Sequence, residues 1–195
     1  EEAAVFIMRF DLRCSGAETT TSELMHATIE MAAWAETRGC VLVGLSEHHA
    51  SPDGYLPSPL VPASAIAERT ERVHIMIAAA LLPLYDPVRL AEDMAVLDHI
   101  AGGRVSYIFG LGYRPEEFAM YGMEMRERAA KAERNLDVLI RARTGERVDV
   151  DGRTIHVTPA PTTPAGPNIA WGGQSVAAAR RAARHGLDFF AQTNL

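Results

Sequence analysis

Short apolar runs begin near residues 5, 41, 73 and 104, an interval of roughly 30-odd residues that is the length of one βα unit. This regularity restricts the chain to a parallel α/β architecture, because parallel strands need a crossover between them and a helix is the usual one. The intervening segments carry helix signals. Thr20-Thr21-Ser22-Glu23 fits a capping box, and Leu24, Thr28, Met31 and Ala35 follow at helical spacing until Gly39 stops the pattern. Asp86-Pro87 supplies an N-cap with Pro at the first helical position, and the helix it opens is expected to run to about Ile100.

The run Cys40 to Leu45 is unbroken and apolar, too short for a helix and closed by polar and turn residues. It reads as a strand buried on both faces, which puts Glu47, His48 and His49 at its C-terminal end. Val5 to Phe10, Val73 to Leu82, Val105 to Phe109, Ile169 to Trp171 and Asp188 to Gln192 read as the other strands. Helices are expected over Ala63 to Thr70, over Met125 to Arg143 with a solvent-facing side, and from Ser175 to His185. Residues 146–158, with Asp151-Gly152 amid alternating residues, predict a small β-hairpin insertion. The whole, 1–195, reads as a single β/α-barrel domain. A complete eight-unit barrel takes about 250 residues, so the chain is expected to hold only about the first six units of such a barrel. It also opens on Glu rather than Met, which fits a part of a longer protein.

Composition narrows the partners. A net charge of -6 without clustered Lys and Arg argues against nucleic acid. Cys14 and Cys40 are too few for a disulfide framework and have no metal-ligand spacing, so no metal site is expected. No apolar run approaches the length of about 18 residues that a membrane span needs, and no leader pattern opens the chain. The expectation is a cytoplasmic protein with a small-molecule partner.

Ligand sites of parallel α/β folds collect at the C-terminal ends of the strands. Glu47-His48-His49 therefore stands where chemistry is expected. Adjacent residues of an extended chain point to opposite sides, so His48 and His49 do not chelate one metal easily. One of them directed into the barrel mouth is a candidate general acid or base. Trp171-Gly172-Gly173-Gln174-Ser175 joins a strand to a helix, where glycines allow close approach and free N–H groups favour a phosphate. A tight structural turn explains it equally well. Gly110-Leu111-Gly112-Tyr113-Arg114-Pro115 departs from a dinucleotide motif at Pro115 and reads as a loop beside the site, with Tyr113 and Arg114 available to a ligand. The remaining histidines form no constellation and read as structural.

Taken together, these residues resemble the bacterial-luciferase-like flavin-dependent monooxygenases. The resemblance rests on Glu47-His48-His49, Ala78-Ala79-Ala80-Leu81-Leu82-Pro83, Asp86-Pro87-Val88-Arg89-Leu90-Ala91-Glu92-Asp93 and Leu97-Asp98-His99-Ile100. It continues through Gly102-Gly103-Arg104-Val105, Gly110-Leu111-Gly112-Tyr113, Glu116-Glu117-Phe118 and Gly172-Gly173-Gln174-Ser175. It implies a TIM barrel of the luciferase-like type that binds reduced FMN at the C-terminal mouth. His48 matches the catalytic histidine. Gly173, Gln174 and Ser175 match the segment that takes the flavin phosphate. Ala78 and Ala79 match a place where a non-prolyl cis peptide lies against the flavin. Gly110 or Leu111 stands where some members carry a phosphate-binding Arg, which leaves backbone N–H groups or Arg114 for that role. Glu47, His49, Tyr113 and Arg114 are expected to line the site.

The implied reaction uses reduced FMN and O2 to oxygenate a small organic substrate, possible partners being a flavin reductase and a second copy of the chain, joined through the helix from Asp86. Two alternatives stay open. One is hydride transfer with a 5-deazaflavin coenzyme of the F-420 type, and the other is a flavin-binding protein without catalysis.

Overall fold

The computed structural model describes residues 5–14, 16 and 18–191. In chain order the strands are β1 (Phe6–Phe10), β2 (Cys40–Leu45), β3 (His74–Leu81), β4 (Val105–Gly110), β5 (Val148–Val150), β6 (Arg153–Ile155), β7 (Asn168–Gly173) and β8 (Asp188–Ala191). The helices are α1 (Thr21–Glu36), α2 (Leu60–Arg69), α3 (Pro87–Ala101), α4 (Pro115–Met120), α5 (Arg128–Ala142) and α6 (Val176–Arg184). Six strands make one parallel sheet in the order β1-β2-β3-β4-β7-β8, and β5 and β6 pair separately as an antiparallel hairpin. This is a curved run of βα units with β1 and β8 at its edges.

Local chemistry sets the helix starts. Thr20 Oγ1 accepts from the Glu23 N–H while the Glu23 carboxylate accepts from the Thr20 N–H, the reciprocal pair predicted for α1; such caps are each worth about 1 kcal/mol. Asp86 caps α3 through the N–H groups of Val88 and Arg89. Three helices differ from expectation, α4 having no counterpart in the sequence, where Gly110 to Pro115 reads as a loop. α2 begins at Leu60 rather than Ala63, since Pro62 falls in the first turn, where its missing N–H costs no helical bond. The helix expected from Met125 begins as a 3₁₀ turn at Met125–Glu127 and becomes α-helical only at Arg128. The last strand ends at Ala191; Gln192, included in the expected strand, lies outside the described residues.

Strand side chains divide between two faces. Val43, Leu45, Ile75, Ile77, Tyr107, Phe109 and Trp171 are buried in the core that also takes Ile66, Leu90, Met94, Leu136 and Leu139 from the helices. The alternate residues Leu42, Gly44, Met76, Ala78, Ile108 and Gly110 line the concave side. His74, also on an alternate position, has Nε2 2.8 Å from Ser106 Oγ. Burial, and then the charge of Arg104, push His74 below its ordinary pKa, so it stays neutral within the sheet. Among the described residues no helix is long and apolar enough to cross a membrane.

The contact of α5 with α6 and its C-terminal end includes a charged cluster. Glu133 accepts from Arg181 Nε at 2.8 Å, from Arg184, and from His185 Nε2 at 2.9 Å. Burial opposes its charged form, but the His185 hydrogen bond and the arginine charges outweigh that and hold the carboxyl below the usual range. A lowered folded pKa gives stability that is present above the unfolded value and lost as pH falls through the folded one. Glu133→Gln is therefore expected to cost about 1–2 kcal/mol at neutral pH, a deficit that shrinks below about pH 4.3. Thermal unfolding of both proteins across pH 3 to 7 checks this; a deficit independent of pH would show that the carboxylate charge does not matter.

Candidate active site

The concave face of the sheet, together with the C-terminal ends of its strands and the loops that follow them, lines a cavity of about 940 Å³. The end of β2 supplies its chemistry. Beyond Leu45 the chain leaves the sheet, the His48 N–H bonds to the Leu56 carbonyl at 3.0 Å, and the two imidazoles diverge into separate carboxylate pairs.

His48 lines the cavity with a side chain 16% exposed, and its Nδ1 stands 2.7 Å from Glu117 Oε1. The same oxygen accepts the His49 N–H at 2.9 Å. A carboxylate can only accept, so Nδ1 carries the hydrogen and Nε2 is left as an acceptor. Nε2 lies 3.4 Å from the Tyr113 hydroxyl, and the rings of Tyr55 and Tyr113 meet the imidazole edge-on at 4.7 and 5.5 Å. The ring is thereby fixed in tautomer and in plane. Glu117 is wholly buried on α4, and its Oε2 has no partner.

His49 has the opposite tautomer and another location. Its Nε2 donates to Glu47 Oε1 at 2.8 Å, and its Nδ1 is 3.3 Å from the Tyr121 hydroxyl. Glu47 Oε2 accepts from Tyr85 at 2.7 Å and from the Leu81 N–H at 3.3 Å. Burial, and next the Glu47 charge, raise the Tyr85 pKa far above its ordinary value, so Tyr85 remains a donor. Glu47 thus ties the end of β2 to the end of β3 and the turn after it, and it borders the cavity. His49 does not. It was expected to line the site, and instead it braces Glu47 from behind.

Next to Glu47 the peptide between Ala78 and Ala79 is cis, and both residues line the cavity. Gly110 faces them across the β3–β4 pair; a Cβ there would stand 3.4 Å from Ala79 Cβ. At the far end Gly172, Gly173, Gln174 and Ser175 form the wall. A Cβ on Gly172 would come within 2.9 Å of Ile108, and one on Gly173 within 2.7 Å of Ala178, so both glycines are required by close approach. Ser175 Oγ caps α6 by accepting from the Ala178 N–H, which leaves its O–H free to donate.

Two residues change the sequence-based picture of this end. Arg114, expected to offer a cation, is not on the cavity; Glu116 holds it at 2.7 Å, with Glu117 at 4.0 Å. Arg128, at the start of α5, does line the cavity, donates to the Met125 carbonyl at 2.9 Å, and keeps a buried Nε without a partner. An unpaired buried donor is costly, and on a cavity whose wall also holds Gly173, Gln174 and Ser175 at the start of α6 it fits a phosphate. Neither Glu117 nor Arg128 was assigned a role from the sequence. Arg128 sits in an Arg-rich stretch that reads as a solvated helix face, and Glu117 lies 69 positions from the histidine it orients. Among the described residues no group of three or more His, Cys, Asp and Glu could hold a metal ion.

If Glu117 acts by fixing the His48 tautomer, Glu117→Gln, which can present an amide N–H to Nδ1, is expected to lower turnover about tenfold or more and to shift its pH profile. An unchanged profile would reduce Glu117 to a packing residue.

A family model described as luciferase-like monooxygenase matches residues 7–194 of the chain. Limonene 1,2-monooxygenase of Rhodococcus erythropolis is 27% identical over 170 residues, covering 79% of this chain and 44% of that protein. The alkanal monooxygenase alpha chain of Photorhabdus luminescens is 31% identical over 112 residues, 57% of this chain and 31% of its own. In structure, the monooxygenase RslO1 from Streptomyces bottropensis superposes with a TM-score of 0.84 at 26% identity, covering 95% of this chain and 59% of that one. The oxygenating constituent of a 3,6-diketocamphane monooxygenase from Pseudomonas putida, in complex with FMN, gives 0.78 at 19% identity and shares the fold. The chain spans about half the length of these relatives or less.

Proposed function

Because the chain belongs to the luciferase-like monooxygenase family, we propose that it carries the flavin end of a monooxygenase that uses reduced FMN and O2 to oxygenate a small organic substrate. The observation that carries this reading is the pairing of ends in one cavity: His48, oriented by Glu117, at one side, and Gly173, Gln174, Ser175 and the unpartnered Arg128 Nε at the other. Reduced FMN would supply the electrons that activate dioxygen. The residues present divide the remaining work. Arg128 and the N–H groups of the Gly173–Ser175 turn would hold the phosphate, and Ala78, Ala79 and Gly110, with no bulk beyond a methyl, would leave room for the flat ring. His48 Nε2 would take up a proton at the cavity mouth and return it, with Glu117 stabilising the charged imidazole. Tyr113 and Tyr55 pack edge-on against that imidazole. The reduced flavin would come from a separate reductase. A homodimer through α3, whose Val96 and Ile100 are 47% and 42% exposed, belongs to the same proposal and is tested by sedimentation velocity.

The deciding experiment is a fluorescence titration of the chain with FMN and with a deazaflavin of the F-420 type, each oxidised and reduced, followed by oxygen uptake. Binding of FMN together with substrate-dependent uptake supports the proposal. Preference for the deazaflavin moves the reading to hydride transfer. FMN binding with no uptake under any substrate leaves a flavin carrier without catalysis.

A further inference from the structure

The first strand holds one cation in an otherwise apolar run, and its position gives it a second role. Ile7 and Arg9 lie on the concave side of β1, while Phe6, Met8 and Phe10 pack toward the core. Arg9 pairs in register with Gly44, where a Cβ would stand in ordinary contact with the arginine stem, 3.6 Å from Arg9 Cγ. Arg9 is exposed on this edge strand, and one hydrogen bond, from Nε to Ser46 Oγ at 3.0 Å, orients its guanidinium. Ser46 is 3% exposed and lies two residues before His48, on the same wall of the cavity. Among the described residues no carboxylate pairs with Arg9, and its Nη1 and Nη2 groups have no acceptor. Arg13, Arg69, Arg89, Arg114, Arg181 and Arg184 each have an acidic partner, whereas Arg9 and Arg128, both on the cavity, have none among the described residues.

We propose that Arg9, aimed by Ser46, is a carboxylate-binding subsite that selects substrates carrying an anionic group. It rests on the reading of this cavity as the substrate and flavin site. With Nε engaged, the two terminal nitrogens present a planar pair of donors, the geometry that takes a carboxylate in parallel hydrogen bonds. Leu42, Met76, Ile108 and Phe190 around the cavity supply apolar contact for the rest of such a molecule. A cation toward β1 and another, Arg128, toward α6 would hold two different anions at the two ends of one cavity.

The test uses a matched pair of probes, octanoate and 1-octanol, titrated by isothermal calorimetry into the chain with and without FMN. Wild-type protein is expected to bind octanoate about tenfold tighter than octanol, with the preference shrinking as NaCl rises. Arg9→Met should remove the preference, and Arg9→Lys should keep part of it. Unchanged circular dichroism of Arg9→Met excludes a folding defect as the cause. A preference that survives in Arg9→Met, or no preference in wild type, overturns the proposal. So does a preference lost in Arg128→Met and kept in Arg9→Met, which would place the anion in the phosphate cradle. If FMN fails to bind while the Arg9-dependent preference remains, the subsite stands and the flavin reading falls. If FMN affinity drops in Arg9→Met and octanoate affinity does not, Arg9 serves the cofactor and the subsite is refuted.

Discussion

Replacing His48 with Ala is expected to lower turnover about 100-fold or more while leaving FMN affinity nearly unchanged, the pattern of a lost general acid or base. The separation follows from the layout. His48 sits at the end of β2, whereas the residues proposed to take the phosphate come from β7, α6 and α5. The chain path at the end of β2 does not depend on the ring, since the His48 backbone N–H is held by the Leu56 carbonyl whatever the side chain. The change also leaves Glu117 buried with the His49 N–H as its remaining donor at 2.9 Å. A modest loss of stability is therefore expected beside the kinetic loss, and thermal unfolding separates the two. Single-turnover kinetics with pre-reduced, bound FMN gives the direct readout. Equal rates in the two proteins would leave His48 as no more than a strand-end residue.

Arg128→Met is expected to do the reverse, weakening FMN about 10- to 100-fold, the range for removing charge-assisted hydrogen bonds. Because the contact proposed for Arg128 is to the phosphate, riboflavin, which has none, should bind both proteins alike. Arg114→Met provides the contrast. Its side chain is committed to Glu116 at 2.7 Å and lies off the cavity, so it should leave FMN affinity unaltered. Fluorescence quenching of FMN and riboflavin measures all of these. If Arg114→Met proved the weaker binder, the cradle would have to be redrawn around the loop after β4.

The periodic features of this protein were legible in its sequence. The βα spacing, the capping box at Thr20, the Asp86-Pro87 start of α3 and the hairpin about Asp151-Gly152 are all local, and each folds as its own residues dictate. His48 was legible too, because a polar residue closing a buried strand faces the ligand end of such a sheet. The motifs that carry the family resemblance are likewise local runs of sequence.

Partnerships across the sheet were not legible. His48 and His49 are neighbours with the same side chain, yet one meets Glu117 and the cavity and the other meets Glu47 and Tyr121. Which carboxylate takes which imidazole depends on where α4 and the turn after β3 come to rest. Arg114 and Arg128 illustrate the same point: the sequence offered the first as ligand-facing, and the structure turns it to Glu116 and brings the second in from α5. Sequence by itself determined which segments become strands and helices, because hydrophobic period and capping act over a few residues. Only the tertiary structure decided which charges meet, because that depends on packing between elements far apart in the chain.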